Sequence, residues 1–168
     1  MTPQYRKSIW RHNKRYDIDH RQLQPQDFEV IGRLLWVNAA KMQATPIPPH
    51  NLLGISKAAK SMPPIKKATT ANVANYIKNC RCPGGGIKTL MCMLAVETEG
   101  KYPPMDRKFA AGLLARKKVT PKEFMSLESN NPDEFAEIYV RKVIPAWIAA
   151  RRTRSPKAAD NYFAAANS

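Results

Sequence analysis

Residues 76–108 read YIKNCRCPGGGIKTLMCMLAVETEGKYPPMDRK, and the fold turns on how this stretch divides. Val73, Tyr76 and Ile77 lead in at helical spacing before Pro83-Gly84-Gly85-Gly86 interrupts the pattern. Ile87, Leu90, Met91, Leu94 and Ala95 then form one apolar stripe, with Gly100 beyond its end. The spacing predicts a helix, a glycine hairpin at Cys80–Gly86, a second helix and a short extended segment. Asp106 closes that segment eighteen residues after Lys88, in an N-cap position ahead of Phe109, Ala110, Leu113 and Leu114.

Glycines in such a turn permit positive φ and let another backbone approach closely. N–H groups of the turn and of the following helix then converge at the positive end of the helix dipole, which suits a phosphate. Gly84, Gly85, Gly86, Arg81 and Thr89 are therefore candidate contacts to a nucleic-acid backbone, with Lys78 adding charge. A plain helix-to-helix connection needs the same glycines. Lys88 falls in the first turn of the second helix beside Arg81, where dipole and neighbour disfavour the ammonium and would supply a neutral amine. Such an amine is a nucleophile toward a sugar carbon at the aldehyde oxidation level. Asp106 as an N-cap would stay ionised and is placed to stabilise a cationic sugar or accept a proton.

Working outward, Pro25 and Asp27 start a helix over Gln26–Met42 carrying Phe28, Ile31, Leu34, Leu35 and Val37. Residues 43–67 hold five prolines around Leu52-Leu53-Gly54-Ile55, read as loop, short helix and loop. Thr69 or Thr70 caps the helix before the hairpin. Thr120-Pro121-Lys122-Glu123 is a capping box, and Asn131-Pro132-Asp133-Glu134 is a second strong start. Pro145 is expected to kink or interrupt the helix that follows. No strand alternation is present, so the chain reads as all-α, a compact helical domain. Its divisions are a basic arm over residues 1–24, the helical domain over 25–154 and a C-terminal tail over 155–168, either a loose helix or frayed.

The chain has 168 residues, enough for one domain with a real core. Its 28 Lys+Arg against 13 Asp+Glu give a net charge of +15, a field that draws polyanions, with nucleic acid the leading class. Three cysteines, Cys80, Cys82 and Cys92, are too few for a disulfide framework and lack the four-ligand spacing of a zinc or iron–sulfur site. No metal and no cofactor is expected. No stretch is apolar over a membrane-spanning length, and the N-terminus is not a signal peptide. A reduced compartment follows: cytoplasmic and nucleoid-associated, or nuclear, and not secreted.

Pro83-Gly84-Gly85-Gly86-Ile87-Lys88-Thr89 followed by Pro103-Pro104-Met105-Asp106 resembles the signature of the helix–hairpin–helix DNA glycosylase superfamily, which includes the endonuclease III-like and 8-oxoguanine-glycosylase-like enzymes. The resemblance covers about a fifth of the chain. It implies a glycosylase with AP-lyase activity in which Lys88 attacks C1′ of a flipped-out nucleotide, Asp106 assists, and β-elimination cuts the strand. The implied partner is double-stranded DNA with a damaged, modified or abasic nucleotide, bound by a monomer. By position, Leu34-Leu35-Trp36-Val37-Asn38-Ala39 resembles the early helix that carries the DNA wedge, which would make Asn38 the wedge. Ile144-Pro145-Ala146-Trp147-Ile148-Ala149-Ala150 looks like the family's late packing helix. Candidate base stackers are Trp36 and Phe163, with Trp10 and Tyr162 behind them. A non-catalytic DNA-binding protein and a basic RNA-associated helical protein fit the same residues.

Overall fold

Thr69 opens a helix because its Oγ1 accepts from the Asn72 N–H while the Asn72 side chain accepts from the Thr69 N–H, so two end donors are satisfied at once. The same logic starts the next elements at Asp106, Thr120, Asn131 and Ser155. The structure, a computed structural model, describes residues 49–166. In chain order they form α1 (Pro49–Lys60), a 3-10 turn (Ile65–Lys67), α2 (Thr70–Cys80), α3 (Ile87–Glu97) and α4 (Arg107–Ala115). They continue with α5 (Pro121–Glu128), α6 (Pro132–Ile138), a π-helical turn (Tyr139–Val143), α7 (Ile144–Arg151) and α8 (Pro156–Ala165). The fold is all-α. Among the described residues the only β-type pairing is the isolated bridge Cys82–Gly85.

α3 is the central rod. Leu90 through Val96 are all buried, whichever way they point, as expected of a helix covered on every side. α1 lies against it, held at the far end by Ser56 Oγ donating to Glu97 and by Lys60 pairing with the same buried carboxylate at 3.3 Å. α2 is tied to it by the buried Tyr76 hydroxyl, which donates to the Leu90 carbonyl at 2.7 Å. The segment 100–105 is fixed by side chains from distant elements. Trp147 Nε1 donates to the Gly100 carbonyl, Tyr139 Oη to that of Pro103, and Cys92 Sγ to that of Met105, while Tyr102 Oη reaches back to Pro63.

Pro145 does not interrupt its helix. Ile138 and Val143 keep right-handed helical backbone, and the Ile144 N–H reaches back five residues to the Tyr139 carbonyl. That wider turn takes up the defect of a residue that lacks an N–H and whose ring crowds the preceding turn. The path therefore continues from Pro132 to Arg151.

The expected tail is a packed helix. Ser155 caps α8, and Ala159, Asp160, Phe163 and Ala164 are buried. α8 lies on α4 so closely that a Cβ at Gly112 would stand 1.8 Å from the Phe163 carbonyl oxygen. Phe163 packs between Phe109 at 5.0 Å and Tyr162 at 5.1 Å, and Phe109 continues the cluster to Trp147. The arm over 1–24, the helix over 26–42, and Trp10, Trp36 and Asn38 lie outside the described residues.

Candidate functional site

The turn between α2 and α3 closes through the Gly85 N–H, which donates to the Cys82 carbonyl at 2.9 Å. Pro83 fills its second position and Gly84 its third at φ 77, the arrangement of a type II turn, which needs glycine there. Gly85 is needed for space: a Cβ would lie 2.8 Å from Cys82 Sγ. Gly86, the N-cap of α3, has an ordinary φ of −73 and open space where a Cβ would stand. It is exposed and provides no side-chain cap. α2, α4, α5, α6 and α8 each start under a side-chain cap, whereas the first turn of α3 starts under bare backbone. Its N–H groups and dipole end are left facing an approachable surface.

Lys88 stands in that first turn, partly buried, with Nζ 2.5 Å from Oε2 of Glu128. Glu128 is the last residue of α5 and arrives from forty positions away. A carboxylate at a helix C-terminus faces the negative end of its own dipole, so the ammonium of Lys88 offsets that repulsion. Its second oxygen, Oε1, is buried without a hydrogen-bond partner among the described residues. Lys88 is thus held as half of an ion pair with a carboxylate that the sequence pattern around the hairpin did not indicate. No local signal marks Glu128, which reads as an ordinary end-of-helix acid.

Asp106 caps α4, its Oδ1 accepting from the Phe109 N–H at 2.9 Å, and the residue is 8% exposed. It follows Met105, whose carbonyl meets Cys92 at 3.3 Å. Cys92 lies one helical turn beyond Lys88 on the same face of α3, so this contact brings the Asp106 segment against the face that carries the lysine.

The cations expected around the turn already have partners, and all three partners lie in residues 128–133. Lys78 pairs with Asp133 at 2.8 Å, Arg81 Nη2 donates to the carbonyl and side-chain oxygens of Asn130 at 2.6 and 2.9 Å, and Lys88 holds Glu128. The Lys78 and Arg81 contacts are at the surface, where such a pair contributes about 0.2–1 kcal/mol, little enough for a phosphate to displace. Thr89 is half-buried beside Lys88 in the first turn of α3.

Phe163 is a correction. It is 1% exposed with its ring enclosed by aromatic neighbours, so it serves the core rather than a base. Burial, with Cys82 adjacent, pushes the Cys80 thiol up to about 11, and burial raises the Cys82 thiol above its ordinary value. Among the described residues no group of three or more His, Cys, Asp or Glu is arranged to hold a metal, and no helix is long and apolar enough to cross a membrane. Comparison with protein-family models, with curated proteins and with solved structures finds no match to the chain.

Proposed function

We propose that the protein is a DNA glycosylase with AP-lyase activity that works through a lysine imine on double-stranded DNA. The observation that carries the reading is the Lys88–Glu128 pair at the open end of α3, a latent amine in contact with a base. The net charge of +15 supplies non-specific attraction to the duplex. Backbone N–H groups of Ile87, Lys88 and Thr89, in the uncapped first turn of α3, hold a phosphate and set the register, with Arg81 assisting.

Lys88 begins as an ammonium. Glu128 Oε2 accepts one of its protons, and the resulting amine attacks C1′ of an extruded nucleotide. The C1′–base bond breaks and its electron pair leaves on the base. The carboxylate of Asp106 stabilises the positive charge that develops on the sugar. Opening of the C1′–O4′ bond sends its electron pair to O4′, which takes up a proton, and leaves an imine between Nζ and C1′. Loss of a C2′ proton then expels the 3′-phosphate and cuts the strand.

Borohydride reduction tests this directly. Incubation with abasic-site duplex and borohydride is expected to leave a covalent protein–DNA adduct, absent for Lys88→Gln. The second reading is a non-catalytic DNA-binding protein, and what favours it is that the same ion pair also serves as a structural tie between α3 and α5. Equal binding by wild type and Lys88→Gln with no adduct from either selects that second reading.

A further inference from the structure

At the end of α4 opposite Asp106, several cations gather. Arg116, the C-cap of α4, donates from Nε and Nη2 to the Tyr162 carbonyl at 3.0 and 2.8 Å. Its guanidinium lies 3.4 Å from the centre of the Tyr162 ring, and that of Arg154 lies 4.0 Å from the same centre. Arg151 Nη1 donates to the Arg154 carbonyl at 2.5 Å, which gathers the turn between α7 and α8 into the same corner. Lys117 and Lys118 continue from Arg116, and Arg152 precedes the turn; all three are exposed. Among the described residues none of these cations has a carboxylate within 4.0 Å, whereas Lys60, Lys78, Lys88, Arg141 and Lys142 each do.

Like charges brought this close repel, and among the described residues none of them forms an ion pair that would offset this repulsion at contact distance. The complement is an extended polyanion. Guanidinium groups fixed on an aromatic ring are pre-organised for phosphate oxygens and lose little freedom on binding. A lipid surface fits poorly, because Met125 is the only large apolar side chain exposed among the described residues, and it lies on α5. The nine residues of α4 separate Asp106 at one end from Arg116 at the other by about 15 Å. That is close to half a turn of duplex, roughly 17 Å, so a duplex laid along α4 would span both ends.

We propose that this corner is a second phosphate-binding surface, holding the duplex flank about half a helical turn from the nucleotide at Lys88. The choice of DNA rests on the reading given for the Lys88 site; the corner's affinity for phosphate does not. The test uses the full chain and a short lesion-free DNA duplex, with affinity measured across a salt series. The variant combines Lys117→Gly, Lys118→Gln and Arg152→Gln. Lys117 sits at φ 57, so glycine relieves the backbone there, and a thermal midpoint no lower than wild type shows the fold intact. The slope of log affinity against log salt is expected to become shallower by roughly 0.9 for each phosphate that the variant no longer neutralises. Lys57→Gln, on α1 away from this corner, should leave the slope alone.

A triple-variant slope equal to wild type, or an equal change from Lys57→Gln, overturns the proposal. Tighter binding of RNA duplex at matched salt overturns the assignment to DNA. Absence of borohydride adduct in wild type, with the slope change retained, removes the Lys88 chemistry and leaves the corner standing.

Discussion

Glu128 Oε2 meets Lys88 Nζ at 2.5 Å and joins the C-terminal end of α5 to the N-terminal end of α3. The contact has two consequences that separate experimentally. It fixes where the amine stands, and it provides the nearest base for the amine's proton. Glu128→Gln preserves the shape and much of the tie while removing the base. Single-turnover imine formation on abasic DNA is expected to slow by about 100-fold or more, with duplex affinity unchanged or improved because a negative charge has left the surface. An unchanged single-turnover rate would reduce Glu128 to a structural role.

The glycines of the turn should respond in different ways. Gly84→Ala forces a side chain onto φ 77 and is expected to cost roughly 1–2 kcal/mol in unfolding free energy. Gly86→Ala meets no atom within 4 Å and keeps an ordinary φ, so the cost should be no more than about 1 kcal/mol, that of replacing a glycine N-cap by alanine. If the first turn of α3 carries a phosphate, Gly86→Ala weakens duplex binding although that cost is small. Denaturant unfolding alongside a binding isotherm separates the two effects; full affinity in Gly86→Ala counts against close backbone approach at this position.

Gly112 is where α4 and α8 touch backbone to backbone. Gly112→Ala places a methyl group 1.8 Å from the Phe163 carbonyl oxygen, and neither backbone has a rotamer with which to yield. The expected loss is roughly 3 kcal/mol or more, seen as a fall in the thermal midpoint with α8 displaced. A variant as stable as wild type would mean that the two helices can separate at little cost.

Alkaline pH should weaken the fold through buried acids. The Cys80 thiol keeps its proton to about 11 in the folded chain against an ordinary 9.0, and burial lifts Tyr102 to about 12 from 10.0. Between the unfolded and folded values the folded state binds more protons than the unfolded state, so stability falls as pH rises. The Cys80 share is fully present below about pH 9 and is lost as pH passes about 11. Urea midpoints at pH 8 and pH 10.5 should drop less for Cys80→Ala than for wild type; parallel drops would remove Cys80 from the account.

Local chemistry was readable where it acts over a few residues. Thr69, Asp106, Thr120 and Asn131 cap the helices their positions indicate, because a cap is decided within one turn of chain. The Pro83-Gly84 turn was legible for the same reason. What the sequence concealed depends on distant partners. Glu128 carries no mark of Lys88, and Gly112 no mark of Phe163. The local penalty of Pro145 points to a kink or an interruption, while the π-helical turn that keeps the path continuous carries Tyr139 and Val143 into the core alongside Trp147. The segment taken for a tail is apolar on one face only, and that face acquires meaning once α4 is there to receive it.

The pins on residues 100–105 make the candidate acid a property of the whole chain rather than of its own neighbourhood. Trp147 reaches Gly100 across 47 positions and Tyr139 reaches Pro103 across 36, while Glu128 reaches Lys88 across 40. A chain ended after Lys118 would still encode α2, the glycine turn, α3 and α4. It would lack those three tethers, and with them the carboxylate beside Lys88 and two of the four side-chain ties on the segment leading to Asp106, while the ties made by Cys92 and Tyr102 would remain. On a ribosome the glycine turn therefore emerges well before the residues that complete its surroundings. Under the proposed chemistry, the lysine stays unarmed until Glu128 has been made and α5 has packed beside α3.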